Sequence, residues 1–232
     1  MNPASPPNAT PFESRSRLTQ PLRLHAERLD ADLQAIAPRH HEAANAFARW
    51  IAEHYQPGEP LHAVVVCTGN SRRSILGSSM GNLAAAFYGM PEIRFHSGGT
   101  EPSAFNPRTV SALEAAGFGV EPTGAEKAPG NPEYRVSWGD GFEVLEFSKL
   151  YSDPVNPQEG FAALMVCNEA DAGCPIVQGA SARIPMPFDD PKEFDDQPYE
   201  AEKYTERRDE IGRVMLSVMK LAQELIARAS AR

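Results

Sequence analysis

The stretch CTGNSRRS, residues 67–74, places a cysteine six positions before an arginine. A helix N-terminus and a neighbouring guanidinium stabilise a thiolate, which is the nucleophilic form of cysteine. Arginine also offers a planar, bidentate grip on phosphate-like oxygens and stabilises the charge that develops during attack. Placed between the end of a predicted strand and the N-terminus of a predicted helix, this spacing predicts that Cys67 is a nucleophile and that Arg73 binds an oxyanion beside it. The alternative is a structural cysteine beside two surface arginines.

The residues on either side of this loop predict the elements that position it. LHAVVV, residues 61–66, is a short apolar run typical of a buried parallel strand that ends at Cys67. A helix is predicted from about Arg73 to Tyr88, so that its free N–H groups point at the loop. The other loop residues are expected to bind an oxyanion or to orient the sulfur: Thr68, Gly69, Asn70, Ser71, Arg72 and Ser74.

Two further cysteines lie seven positions apart in CNEADAGCP, at the end of a strand predicted over 161–167. All three cysteines thus follow predicted strands, at the edge where open α/β sheets bind ligands. This placement predicts that Cys167 and Cys174 take part in redox chemistry. Two half-buried thiols on one helix face remain an alternative, and so does a metal site, although no histidine lies near the pair.

Predicted strands and helices alternate along the chain, which indicates βαβ units and a mostly parallel sheet. The strands are expected at 61–66, EIRFHS, 161–167 and near ARIPMP, and the helices over 73–88, 107–116 and roughly 199–229. The stretch RVSWGDGFEVLEF predicts a hairpin, inserted into this α/β domain at about 124–160.

Residues 1–60 carry a different pattern. Residues 1–20 are rich in proline, serine and asparagine and predict a loose tail. Residues 21–60 predict a helical extension, in which Ala43, Phe47 and Ile51 share one apolar face. The strand from residue 61, the loop over 67–74 and all later elements are expected to form one domain over 61–232.

Charge and cysteine content limit the classes of partner and compartment. The 22 basic and 31 acidic residues give a net charge of −9, so neither nucleic acid nor an anionic membrane is an expected partner. Three cysteines are too few for a disulfide-stapled secreted scaffold, and the N-terminus has no apolar signal-peptide core. We expect a cytoplasmic protein that needs no metal or cofactor.

The motifs resemble those of the low-molecular-weight protein tyrosine phosphatases. The resemblance is carried by CTGNSRRS after VVV, then HSGGT, NPRTVSALEAAGF and a late Asp-Pro. It implies an open four-stranded parallel sheet with helices on both faces, Cys67 as nucleophile and Arg73 as oxyanion binder. It also implies that the aspartate before the proline, Asp190, is the general acid. Asp189 is adjacent, and a turn or helix cap is the alternative role for this pair.

Together with CNEADAGCP and FDDP, the loop is similar to that of the thioredoxin-coupled arsenate reductases, over about 61–123 and 161–225. This resemblance implies a relay. Cys67 attacks arsenate, Cys167 attacks Cys67 and releases arsenite, and Cys174 then attacks Cys167. The partners so implied are an arsenate- or phosphate-like oxyanion and thioredoxin or a similar thiol reductant.

Two other functions remain open at this stage. A low-molecular-weight protein tyrosine phosphatase needs only Cys67, Arg73 and Asp190, and its other thiols would protect the nucleophile as a reversible disulfide. A binding module would hold an anion in the loop without turnover. The cysteine pair favours the reductase, and the aspartate before the proline argues against the binding module.

Overall fold

The computed structural model describes residues 11–173 and 176–231. Within these ranges no helix is both long enough and apolar enough to cross a membrane. The helices are α1 (Pro11–Arg17), α2 (Gln20–Asp30), α3 (His41–His54), α4 (Arg73–Phe87), α5 (Pro107–Ala116), α6 (Asn168–Gly173) and α7 (Glu200–Ser230). The strands are β1 (Leu61–Cys67), β2 (Ile93–Gly99), β3 (Gly119–Ala128), β4 (Asn131–Gly139), β5 (Phe142–Glu146), β6 (Phe161–Met165) and β7 (Ala180–Pro185).

The central sheet has four strands in the order β2-β1-β6-β7, and every pair in it is parallel. β6 is buried along its whole length, as expected of a strand covered on both faces. In the register of β1, Cys67 lies opposite Gly99 of β2, and Val66 lies opposite Met165 of β6. The predicted α/β fold with a parallel sheet flanked by helices is confirmed.

Helix α4 lies in the core between this sheet and α7, and all of its residues are buried. Two glycines let it approach the sheet closely. A Cβ on Gly77 would lie 2.7 Å from the side chain of Val65, and one on Gly81 would collide with the ring of Phe95. The start of α4, and with it the loop after β1, is therefore fixed rigidly against the sheet.

A second, antiparallel sheet of three strands, β3-β4-β5, is inserted after α5, and we call it the inserted sheet. The predicted hairpin is present as β4 and β5, joined at Asp140 and Gly141. Gly141 has a φ of 67°, a conformation that glycine adopts without steric cost. The sequence analysis missed β3, whose Pro122 and Gly124 are poor strand formers.

The N-terminal segment differs in part from the expected tail over 1–20. Residues 1–10 lie outside the described part of the chain, but Pro11–Arg17 form helix α1. Ser14 is buried and donates a hydrogen bond to the carbonyl oxygen of Ala86 at 2.9 Å, and Leu18 is only 5% exposed. The hydrogen bond to α4 and the burial of Leu18 stabilise a segment whose composition alone does not predict order.

Two histidines face each other across β1 and β2 beside the inserted sheet. Nδ1 of His62 lies 3.1 Å from Nε2 of His96. Burial lowers the pKa of His96 to about 3, and the nearby His62, Lys149 and Arg94 add to the shift. His96 is thus neutral in the folded protein near pH 7.

This shift predicts a loss of stability in mild acid. Between about pH 6.5 and 3 the unfolded chain protonates His96 and the folded chain does not, so the free energy of unfolding falls as pH falls. One such group contributes at most about 1.4 kcal/mol per pH unit. We expect His96→Gln to flatten this slope in urea denaturation, and the exposed His41→Gln to leave it unchanged. Equal slopes in the two variants would contradict the prediction.

Candidate active site

The loop between β1 and α4 turns its carbonyl oxygens toward the segment that follows β2. The carbonyls of residues 67, 68, 69 and 71 accept hydrogen bonds of 2.9–3.2 Å from backbone N–H groups within 100–106. Asn70 adopts the left-handed conformation, with φ 41°. Within the described part of the chain, the amides of residues 68–71 meet no acceptor. The loop therefore presents adjacent N–H donors, an arrangement suited to an anion.

Cys67 ends β1 as a buried free thiol, 4% exposed. Its Sγ lies 3.1 Å from the hydroxyl oxygen of Ser74 in the first turn of α4. Nδ2 of Asn70 donates to the same hydroxyl oxygen at 2.8 Å. Ser74 thus contacts the sulfur directly, and Asn70 contacts Ser74.

Arg73 joins the loop to the Asp-Pro turn that follows β7. Its guanidinium donates to the carbonyl oxygen of Phe188 at 3.0 Å and to Oδ2 of Asp190 at 2.6 Å. The other oxygen of Asp190 accepts from the backbone N–H of Lys192 at 3.0 Å and caps the 3-10 helix Pro191–Phe194. Asp190 therefore caps this helix with one carboxylate oxygen and contacts Arg73, the predicted oxyanion binder, with the other.

Asp189 faces a different set of residues. It forms a bidentate pair with Arg39 of the N-terminal extension, at 3.1 and 2.9 Å, and its side chain is 61% exposed. The hydrogen bonds from Arg39 hold the pKa of Asp189 below its ordinary value. The geometry thus distinguishes the two aspartates, because only Asp190 contacts Arg73.

Arg72, one of the loop residues expected to bind an oxyanion or to orient the sulfur, directs its guanidinium to residues outside the loop. Its guanidinium donates to the hydroxyl of Tyr204 at 2.6 Å and to Oδ2 of Asp195 at 2.7 Å. Both partners lie near the start of α7, and the ion pair with Asp195 offsets the charge. Arg72 fixes the loop to α7, and only its backbone remains a candidate for contact with an anion.

Cys167 follows β6 and lies beside the loop, fully buried and free. The hydroxyl oxygen of Thr68, the residue after Cys67, is 3.5 Å from its Sγ. The backbone N–H of Ala170 also donates to this sulfur, at 3.4 Å. Because β6 pairs with β1, and neighbouring strands lie about 5 Å apart, Cys67 and Cys167 occupy the same edge of the sheet.

Cys174 lies outside the described residues, just beyond α6. Over residues 11–173 and 176–231, no group of three histidine, cysteine, aspartate or glutamate side chains is placed to hold a metal ion. The site as described therefore consists of Cys67, Arg73, Asp190 and Cys167 around one loop.

Sequence analysis missed an ion pair that touches this site from outside the loop. Glu146, the last residue of β5, pairs with Lys149, and the two residues are 3% and 6% exposed. Both side chains contact the hydroxyl oxygen of Ser97 on β2, at 2.8 and 3.3 Å. Two charged residues three apart in a non-helical segment give no local signal of burial, so only the fold reveals them.

No family model and no curated protein matches the chain. Among solved structures, it is similar to a low-molecular-weight phosphotyrosine phosphatase from Vibrio cholerae O395 (13% identity; 71% of this chain and 97% of that chain covered; TM-score 0.49). An arginine phosphatase from Geobacillus stearothermophilus (16%; 75% and 97%; 0.41) and an arsenate reductase in the phosphate-binding state (17%; 72% and 98%; 0.39) are also similar. Both kinds of protein whose motifs the sequence resembles are thus among the similar structures. At these identities the likeness concerns the fold, and the functional assignment depends on the site's own geometry.

Proposed function

We propose that this protein is an arsenate reductase that works through a relay of its three cysteines. The observation that carries the proposal is the position of Cys167. Its sulfur lies 3.5 Å from the hydroxyl oxygen of Thr68, the residue that follows Cys67. Both cysteines are buried. Phosphoester hydrolysis needs one cysteine, whereas a relay needs a second thiol at this place.

The first step forms a bond between sulfur and arsenic. The amides of the loop and the guanidinium of Arg73 hold arsenate, whose oxygens replace Asp190 as partners of Arg73. The Cys67 thiolate attacks arsenic(V), and one oxygen leaves as water after Asp190 supplies its proton. The product is a thiol ester between Cys67 and arsenate.

The second step reduces arsenic. The Cys167 thiolate attacks the sulfur of Cys67, and the electron pair of the sulfur–arsenic bond passes to arsenic. Arsenic(V) becomes arsenic(III), arsenite leaves, and the two thiols become a Cys67–Cys167 disulfide. Cys174 then attacks Cys167, which frees Cys67 and leaves a Cys167–Cys174 disulfide for a dithiol reductant such as thioredoxin.

Phosphatase activity is the second candidate, and the contact between Arg73 and Asp190 favours it. Together with Cys67, this pair places an oxyanion binder and an acid at one nucleophile, as phosphomonoester hydrolysis through a phosphocysteine requires. In that case Cys167 protects Cys67 from oxidation by forming a reversible disulfide with it.

The test compares the two activities of the purified protein. With thioredoxin, thioredoxin reductase and NADPH present, we expect arsenate to drive NADPH oxidation with one arsenite formed per NADPH consumed. Phosphate at the same concentration is the matched control and should drive none. Hydrolysis of aryl phosphates without arsenate-dependent NADPH oxidation would support the phosphatase and reject the reductase.

The two aspartates predict a further difference in activity. Asp190→Asn keeps a polar partner for Arg73 but removes the proton donor, so hydrolysis of phenyl phosphate should fall about 10²–10³-fold, within the range typical of general acids. The matched variant Asp189→Asn weakens only the contacts of an exposed carboxylate with Arg39 and Arg207, and it should change kcat less than about threefold. A larger loss in Asp189→Asn than in Asp190→Asn would reverse the assignment.

A further inference from the structure

We propose that the buried ion pair between Glu146 and Lys149 is a positioning device for Cys67. The inserted sheet supplies Glu146, and the chain leaving that sheet supplies Lys149. The pair connects to the sulfur through a chain of hydrogen bonds whose direction is fixed. The inference rests on the proposed function only in taking Cys67 as the nucleophile.

The segment that carries the pair is hydrogen-bonded to the loop. Asn131 of β4 holds Ser148 from both sides, donating to its carbonyl oxygen at 2.7 Å and accepting from its N–H at 3.1 Å. The Ser148 hydroxyl donates to the carbonyl oxygen of Gly69 at 2.9 Å. The N–H of Lys149 donates to Oδ1 of Asn70 at 2.8 Å. The segment that leaves the inserted sheet thus contacts the loop at two consecutive residues, Gly69 and Asn70.

The contact at Asn70 determines which way its amide points. A backbone N–H can only donate, so the Asn70 atom facing Lys149 must be the oxygen. The NH₂ group then faces the other way, and it donates to the hydroxyl oxygens of Ser97 and Ser74, each at 2.8 Å. These bonds also hold Asn70 in its left-handed conformation.

The ion pair determines the role of Ser97. Its single hydroxyl proton goes to the carboxylate of Glu146 at 2.8 Å. The oxygen of Ser97 is therefore an acceptor toward both Asn70 and the Lys149 ammonium, at 2.8 and 3.3 Å. Through Ser97, the ion pair therefore fixes the Asn70 amide at a second point, with charges that lie outside the loop.

The last bond of the chain reaches the sulfur. Because the Ser74 oxygen already accepts from Asn70, its own proton is available for Sγ of Cys67, 3.1 Å away. Within the described ranges Ser74 has no other side-chain partner. A hydroxyl committed to donation stabilises a thiolate, so the ion pair favours the reactive form of Cys67.

A double substitution removes the pair without changing the net charge. Glu146→Leu together with Lys149→Met replaces a buried ion pair by apolar side chains of similar volume, a change that folds tolerate. The inserted sheet offers a matched control in Lys127 and Glu133, which pair at 2.7 Å. The control, Lys127→Met with Glu133→Leu, changes the same residue types but no contact with Ser97 or Asn70.

The measurement is the pH dependence of Cys67 alkylation by iodoacetamide, in a Cys167→Ser/Cys174→Ser background with one thiol. We expect the midpoint to rise by about one pH unit in the Glu146/Lys149 variant, so that alkylation below the midpoint slows about tenfold. The control should stay within about 0.3 unit of the parent. Alkylation needs no arsenate or phosphate, so failure of the proposed function would not produce a failure here.

A shift in the Glu146/Lys149 variant no larger than in the control, or a shift downward, would overturn the proposal. If that variant does not fold by circular dichroism, Ser97→Ala decides, because it breaks the chain and keeps both charges. An unchanged midpoint in Ser97→Ala would then overturn it. The other charged groups near the loop, Arg72 with Asp195 and Arg73 with Asp190, are unaltered in every variant.

Discussion

Cys67→Ser is expected to abolish both arsenate reduction and aryl phosphate hydrolysis, each by at least about 10³-fold. Serine keeps the shape of the side chain, so the loop and its hydrogen bonds to Ser74 persist. Its hydroxyl does not ionise near neutral pH, and the covalent intermediate of either reaction does not form. Steady-state assays of the two reactions on the same preparation measure the effect.

The fold of the Cys67→Ser variant serves as its control. Its thermal unfolding should match that of the parent within a few degrees, since a buried thiol is replaced by a group of similar size. Retention of either activity would show that the reaction starts elsewhere, and would remove the basis of both candidate functions.

Cys174→Ser is expected to separate the two activities. Without the third thiol, the Cys67–Cys167 disulfide remains buried at the end of the first turnover, and thioredoxin does not regenerate the enzyme. Multiple turnover of arsenate should therefore fall at least about 10²-fold, as expected when a step of the cycle is removed. Hydrolysis of an aryl phosphate uses neither Cys167 nor Cys174 and should stay within about twofold of the parent. Coupled NADPH oxidation and release of the phenol measure the two rates.

Unchanged arsenate turnover in either cysteine variant would contradict the relay. If Cys174→Ser turned over arsenate as fast as the parent, no disulfide relay of this order would operate. If Cys167→Ser behaved in the same way, the phosphatase would become the better account, with the thiols outside the reaction.

Elements set by local sequence were predicted well. The apolar run before Cys67, the glycine in the loop and the helix beginning at Arg73 all depend on neighbours in the chain. Helix α5 matches its predicted bounds, since Asn106 caps it and Pro107 begins it. These patterns predicted the two strand ends near which Cys67 and Cys167 lie, those of β1 and β6.

Features that depend on distant parts of the chain were missed. The difference between Asp189 and Asp190 follows from Arg73, which contacts only Asp190 of the two, and from Arg39, which is 150 residues from its partner Asp189. The offset charge of Arg72 follows from Asp195, and the helix at 11–17 follows from contacts with α4. The Glu146–Lys149 pair is buried only because the inserted sheet meets β2. In each case an ion pair or hydrogen bond between residues far apart in the chain determines the structure, and local composition gives no sign of it.

The central claim, that Cys167 takes over the oxidation from Cys67, is tested most directly by trapping the first disulfide. The Cys174→Ser protein is treated with one equivalent of arsenate, quenched in acid and mapped by peptide mass spectrometry. We expect a Cys67–Cys167 disulfide in proportion to the arsenite released, and none with phosphate. If both thiols remained free after arsenate treatment, and the same protein still hydrolysed an aryl phosphate, the relay would be contradicted.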